Sequence, residues 1–89
     1  MNPSERSRLE EVVVASVARA CNQEDAAISL QSNLVDVGLD SLALQAVISE
    51  METLWRCEFT PDELMIAFDA RNVGDIVRLV DEKTQRTAN

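Results

Sequence analysis

The residues that could do covalent chemistry are few, and Ser41 stands out because it follows a glycine turn and opens an amphipathic stretch in Gly38-Leu39-Asp40-Ser41-Leu42. Such a serine could be a nucleophile, an attachment point for a prosthetic group, or simply the start of a helix. A nucleophile needs a neighbouring base to take its proton, and the chain contains no histidine. Its one lysine, Lys83, falls in what reads as a polar tail. A Gly-x-Ser-x-Gly elbow would need glycine where Ala43 stands, and a Gly-Asp-Ser-Leu signature would lack the inserted Leu39. The composition therefore points away from self-activated serine catalysis, and no catalytic residue is assigned. Cys21 and Cys57 are isolated thiols without Cys-x-x-Cys spacing, so they read as reduced, at least partly buried side chains with neither a zinc site nor a disulfide framework.

Four helical segments must position Ser41. Residues 3 to 20 place Leu9, Val12 or Val13, Ser16 or Val17, and Ala20 on one face. The start Asn2-Pro3-Ser4-Glu5 offers a cap, a first-turn proline and an early acid. Residues 21 to 40 carry no sustained period, and Ile28, Leu30, Leu34 and Val37 are spaced to tuck a connection against a core; a loop of about twenty residues is long enough to expect a function for it. Gly38 can turn the chain and Asp40 can cap the next helix.

That second helix is expected from Ser41 to about Trp55, with Leu44, Val47, Ile48, Met51, Leu54 and Trp55 inward and Gln45, Ser49, Glu50 and Glu52 largely or partly outward. Leu42 does not fit the stripe and reads as a contact residue. Thr60-Pro61-Asp62-Glu63 is a capping box that opens a short third helix to about Ala67. A fourth runs from Val73 to about Lys83 with Val73, Ile76, Val77 and Val80 buried, and residues 84 to 89 read as a fraying tail.

Eighty-nine residues with 46% apolar content fit one small core, hence a single domain with its core at about residues 3 to 83. No apolar run is long enough to span a membrane and residues 1 to 20 carry charges throughout, so the expected location is the cytoplasm. The net charge of -8 is unevenly placed: residues 21 to 70 hold ten acids against Arg56 alone, while the two ends are close to neutral. Such a field repels nucleic acid and anionic membranes and favours encounter with basic protein surfaces. An acidic surface also simply keeps a small domain dispersed.

Taken together, long helix, long loop, Gly-x-Asp-Ser-Leu, second helix, short third helix and fourth helix resemble an acyl or peptidyl carrier protein. The resemblance runs from about Leu9 to Asp81 and rests mostly on Val35-Asp36-Val37-Gly38-Leu39-Asp40-Ser41-Leu42. It implies an all-α four-helix bundle with a long loop between the first two helices. It further implies 4'-phosphopantetheine attached to Ser41 from coenzyme A by a separate magnesium-dependent phosphopantetheinyl transferase, and a domain that catalyses nothing itself. Asp40, Leu42, Glu50 and Glu52 would be read by the transferase and by acyl- or aminoacyl-loading, synthase and tailoring enzymes with basic docking surfaces.

The stretch after the serine, Ala43-Leu44-Gln45-Ala46, is less acidic than in the primary fatty acid carriers, which favours a freestanding, monomeric carrier of polyketide or hybrid specialised metabolism, such as antibiotic biosynthesis. A peptidyl carrier, in which Gly-Gly-x-Ser-Leu is more usual, and a housekeeping fatty acid carrier are the alternatives within the family. A small acidic interaction module, with Ser41 only a helix start, is the alternative outside it. Met51, Leu64, Met65 and Phe68 would line the apolar space between the second and third helices, which could shelter cargo or be core.

Overall fold

The structure, a computed structural model, describes residues 3–87, with side chains for residues 5–85. The cap expected around Asn2 and Ser4 and the last residues of the tail lie outside the described residues. Helix α1 spans Pro3–Ala20, α2 Leu34–Val37, α3 Ser41–Trp55, α4 Pro61–Phe68 and α5 Val73–Thr87, with a 3-10 turn at Asp25–Ala27. The sole β pairing among the described residues is an isolated bridge between Asn33 and Asn72. The expected four-helix bundle is present, and the long connection contains one additional four-residue helix, α2.

Helix α1 packs along both α3 and α5, and α4 closes the bundle against α5 and α3. Periodicity explains why. Leu9, Val13 and Val17 of α1, Val47, Ile48 and Met51 of α3, and Val73, Ile76, Val77 and Val80 of α5 are almost wholly removed from water. Each set falls at three- and four-residue intervals, so each helix presents one apolar stripe to the same core. Of the pairs left open along α1, Val13 is the buried valine, and both Ser16 and Val17 are buried.

Two expectations are corrected by the packing. Leu54 is 54% exposed, because α3 ends directly after it, where Arg56 adopts a left-handed conformation (φ 51°) that turns the chain away. The fourth long helix does not end at Lys83: α5 continues to Thr87, and Thr84 is buried. Asp81, one turn earlier, holds that end to α1. It accepts from Arg6 of α1 and, at 3.0 Å, from Gln85 Nε2, while Thr84 Oγ1 donates to its backbone carbonyl.

Lys83 is equally far from being a tail residue. Its Nζ lies 2.9 Å from Glu63 Oε1 and 5.8 Å from the Phe59 ring centre, so it locks the start of α4 to α5. Glu63 also accepts from the Thr60 N–H at 2.8 Å, and Thr60 Oγ1 accepts from the Glu63 N–H, completing the capping box. Burial works against the Glu63 carboxylate, but the Thr60 N–H and the Lys83 ammonium outweigh it and hold its pKa below the ordinary glutamate value.

Two outcomes follow from this packing. Ile76→Ala is expected to cost about 2–5 kcal/mol in urea unfolding, whereas Leu54→Ala should cost less than about 0.5 kcal/mol. Because the folded pKa of Glu63 is depressed, its contribution is complete above the unfolded value of about 4.3 and is lost as pH falls through the folded one. The urea midpoint should therefore fall on acidification, and the fall should be smaller in Glu63→Gln.

Candidate functional site

The segment before Ser41 is a strap rather than a free loop. Gly74 N–H donates to the Leu30 carbonyl at 2.8 Å, Val73 N–H to Ser32 at 3.1 Å, and Leu34 N–H to Arg71 at 2.9 Å, tying residues 30–34 to the junction between α4 and α5. A Cβ at Gly74 would stand 3.2 Å from the Leu30 carbonyl oxygen, a tight approach that favours glycine here. Ile28 and Leu34 are buried and Leu30 and Val37 half-buried, as their spacing predicts.

Asn33 then caps α2, its Oδ1 accepting from Val35 and Asp36 N–H at 2.9 and 3.2 Å. The signal for α2 was an asparagine, a favoured cap, but four residues are too few to show a period. Gly38 ends α2 in a left-handed conformation (φ 84°), and Leu39 N–H returns to the Leu34 carbonyl at 2.9 Å. Leu39, whose role sequence reasoning missed, is only 8% exposed and anchors the turn.

Asp40 is the cap of α3, its Oδ1 accepting from Ala43 N–H at 2.9 Å. Ser41 is the first residue of α3 and is exposed; Leu42 beside it is 78% exposed, and Val35, not anticipated as surface, is 85% exposed. The N–H groups of Ser41 and Leu42 lie in the first turn, where helix geometry gives no intrahelical acceptor and the dipole favours an anion. A Cβ built on Gly38 meets no atom within 4 Å, so the turn leaves open space.

The structure gives Glu50 and Glu52, both expected to lie at least partly outward, bonds within the chain. Glu50 accepts from the hydroxyl of buried Ser16 and from Arg19, both of α1. Glu52 Oε2 accepts from Phe59 N–H at 2.7 Å across the α3–α4 connection. Both are half-buried.

The apolar space drawn between the second and third helices is also different: Met51 is fully buried core, while Met65 is 66% exposed and Phe68 points partly into solvent. A groove of about 320 Å³ lies between α4 and α5, lined by Ile66, Ala70 and Leu79 together with four acids and Arg78.

Neither thiol is activated. Burial pushes the Cys21 pKa up and the Asp40 carboxylate adds to it; burial also raises that of Cys57, with Lys83 opposing and Glu52 and Glu63 adding. Among the described residues no group of three or more His, Cys, Asp or Glu side chains is arranged to hold a metal ion, and no helix is long and apolar enough to cross a membrane.

The chain matches the phosphopantetheine attachment site family over residues 11–80. It belongs to that family. No curated protein and no solved structure matches it. The family's domains are non-catalytic carriers with covalently bound 4'-phosphopantetheine, and they work with a phosphopantetheinyl transferase and with synthase enzymes. The residues present fit that group: an exposed hydroxyl at a helix start, first-turn N–H donors for a phosphodiester, and open space over Gly38.

Two substitutions test how the turn is held. Asp40→Ala should cost about 0.5–2 kcal/mol through loss of the cap, with Asp40→Asn close to wild type. Gly38→Ala should also destabilise, by about 1 kcal/mol, from the positive φ alone, since no atom obstructs the new methyl. Urea unfolding measures both.

Proposed function

We propose that Ser41 is the phosphopantetheine attachment point and that the protein is a monomeric carrier holding biosynthetic intermediates as thioesters. The observation that carries this reading is the exposure of Ser41 at the first position of α3, between a buried anchor, Leu39, and an exposed apolar neighbour, Leu42. In loading, the Ser41 Oγ–phosphorus bond forms and the pyrophosphate bond of coenzyme A breaks. Adenosine bisphosphate leaves, and the hydroxyl proton passes to a base on the transferase. No base in this chain is required, consistent with the absence of histidine. Once bound, the group supplies a terminal thiol on which cargo rides as a thioester.

This chain's own contribution is positional. Asp40 caps and orients the first turn, the Ser41 and Leu42 N–H groups would be the donors available to the phosphodiester, and Leu42 offers a contact to the transferase and later enzymes. The net charge of -8 opposes self-association. The cytoplasm, where coenzyme A is available, is the compartment this role requires.

The uncharged run Ala43-Leu44-Gln45-Ala46 supports a carrier of polyketide or hybrid specialised metabolism, antibiotic pathways included, over a primary fatty acid carrier. Leu39 and Asp40 in Gly38-Leu39-Asp40-Ser41-Leu42, where peptidyl carriers more often show Gly-Gly-x-Ser-Leu, support acyl over aminoacyl cargo.

Incubation with coenzyme A, magnesium and a broad-specificity phosphopantetheinyl transferase should add a single arm by intact-mass spectrometry, and Ser41→Ala should gain none. An arm on another residue, or an unchanged wild-type mass with several transferases, would refute the assignment.

A further inference from the structure

The groove between α4 and α5 draws no side chain from α3 and takes no part in holding Ser41. Spacing explains its lining. Ile66, Asp69 and Ala70 follow at three- and one-residue steps at the end of α4, and Asp75, Arg78, Leu79 and Glu82 recur at three- and four-residue intervals on α5, so one face of α5 meets the last turn of α4. Apolar surface and carboxylates therefore stand side by side.

The four acids of the groove are not equivalent. Glu63 is held by the Lys83 ammonium and the Thr60 N–H. Asp75 Oδ2 accepts from the Arg71 N–H at 3.0 Å, and its Oδ1 lies 3.9 Å from Arg78 Nη1. Asp69 and Glu82 are exposed and make no side-chain hydrogen bond or ion pair among the described residues. Their charge has no counterpart inside the chain, since Arg78 is drawn to Asp75.

Uncommitted carboxylates beside Ile66 and Leu79 select what can cover them. Lys and Arg carry an aliphatic stem that packs on apolar surface and a cationic head that reaches an acid. The same charges repel nucleic acid and anionic membranes, and a second copy of this chain, with its net charge of -8, is repelled as well. A volume of about 320 Å³ is at the small end of ligand pockets and suits a few side chains presented by another protein.

We infer that the α4–α5 groove docks a basic amphipathic helix of a partner protein, with aliphatic side chains against Ile66 and Leu79 and Lys or Arg heads at Asp69 and Glu82. Such a contact holds the carrier by its α4–α5 side and leaves Ser41 uncovered. It follows the helix-in-groove mode, with charge supplying the selectivity.

The probe is a synthetic amphipathic helical peptide of leucine and lysine, titrated calorimetrically into the full chain, with a leucine and glutamate peptide of the same pattern as control. The lysine peptide should bind and the glutamate peptide should not. Asp69→Asn combined with Glu82→Gln should weaken binding about tenfold, and Arg78→Gln should tighten it about threefold by removing the competing cation. Glu24→Gln combined with Asp25→Asn makes the same change in net charge outside the groove and should stay within about twofold of wild type, as should Ser41→Ala. Thermal unfolding checks that every variant is folded. Equal weakening by the Glu24 and Asp25 changes would reveal only the general negative field and overturn the proposal. Weaker binding by Arg78→Gln, or binding of the glutamate peptide, would also overturn it. Phosphopantetheinyl transferase loading at saturating peptide should match loading without peptide within about twofold, and marked slowing would show that the peptide covers Ser41 and lies elsewhere. Because calorimetry reads the groove directly, a chain that no transferase loads would refute Ser41 as the attachment point without touching this result.

Discussion

Burial of Leu39 is the constraint on which the site depends. Ser41 can be an exposed, reachable hydroxyl with a fixed direction only if the chain just before it is held, and Leu39 is the nearest residue rooted in the core. Gly38 makes that possible by taking a left-handed conformation, so the chain leaves α2 and drops Leu39 inward; Asp40 then satisfies the first turn of α3. Rooted leucine, capping aspartate and exposed serine follow one another within three residues. A loosely held serine would lose much more freedom on being bound by another enzyme.

The anchor works because the strap around it is tied in turn. Residues 30–34 hydrogen-bond to the α4–α5 junction, which places α2, and therefore Gly38, relative to α5 and not only to its neighbours in sequence. At the far end of the molecule, Asp81 with Arg6 and Lys83 with Glu63 fix α5 to α1 and α4. These pairs are partly buried, so each fixes geometry more than it adds net stability. The outcome is a bundle in which the start of α3, with Ser41 exposed, is held on both sides by the core.

How much of this was readable from sequence follows from the range of each interaction. The four long helices have period and caps within a few residues, so Thr60 and Glu63, Asp40 and Gly38, and the stripes of α1, α3 and α5 were legible. The place of Ser41 and Leu42 at the start of α3 was legible for the same reason. The four-residue α2 was not, being shorter than any period. Leu54 matched the α3 stripe by number, but the helix ends there and nothing remains to cover it. Thr84 and Lys83 looked like tail because polar composition says nothing about a partner on another helix. The partners of Glu50 lie more than thirty residues away, and no local pattern encodes them.

That last gap changes how the charge of the chain should be understood. Ten acids lie between residues 21 and 70, but Asp40, Glu50, Glu52 and Glu63 are hydrogen-bond acceptors for the fold. Others, such as Glu24, Asp25, Asp36, Asp62 and Asp69, are exposed and lie off α3. A negative field therefore persists at long range, where it speeds encounter with basic proteins. Steering and fit act at different distances and need not use the same residues. In this protein the exposed acids off α3 supply the field, while Asp40, Glu50, Glu52 and Glu63 are committed to holding the fold.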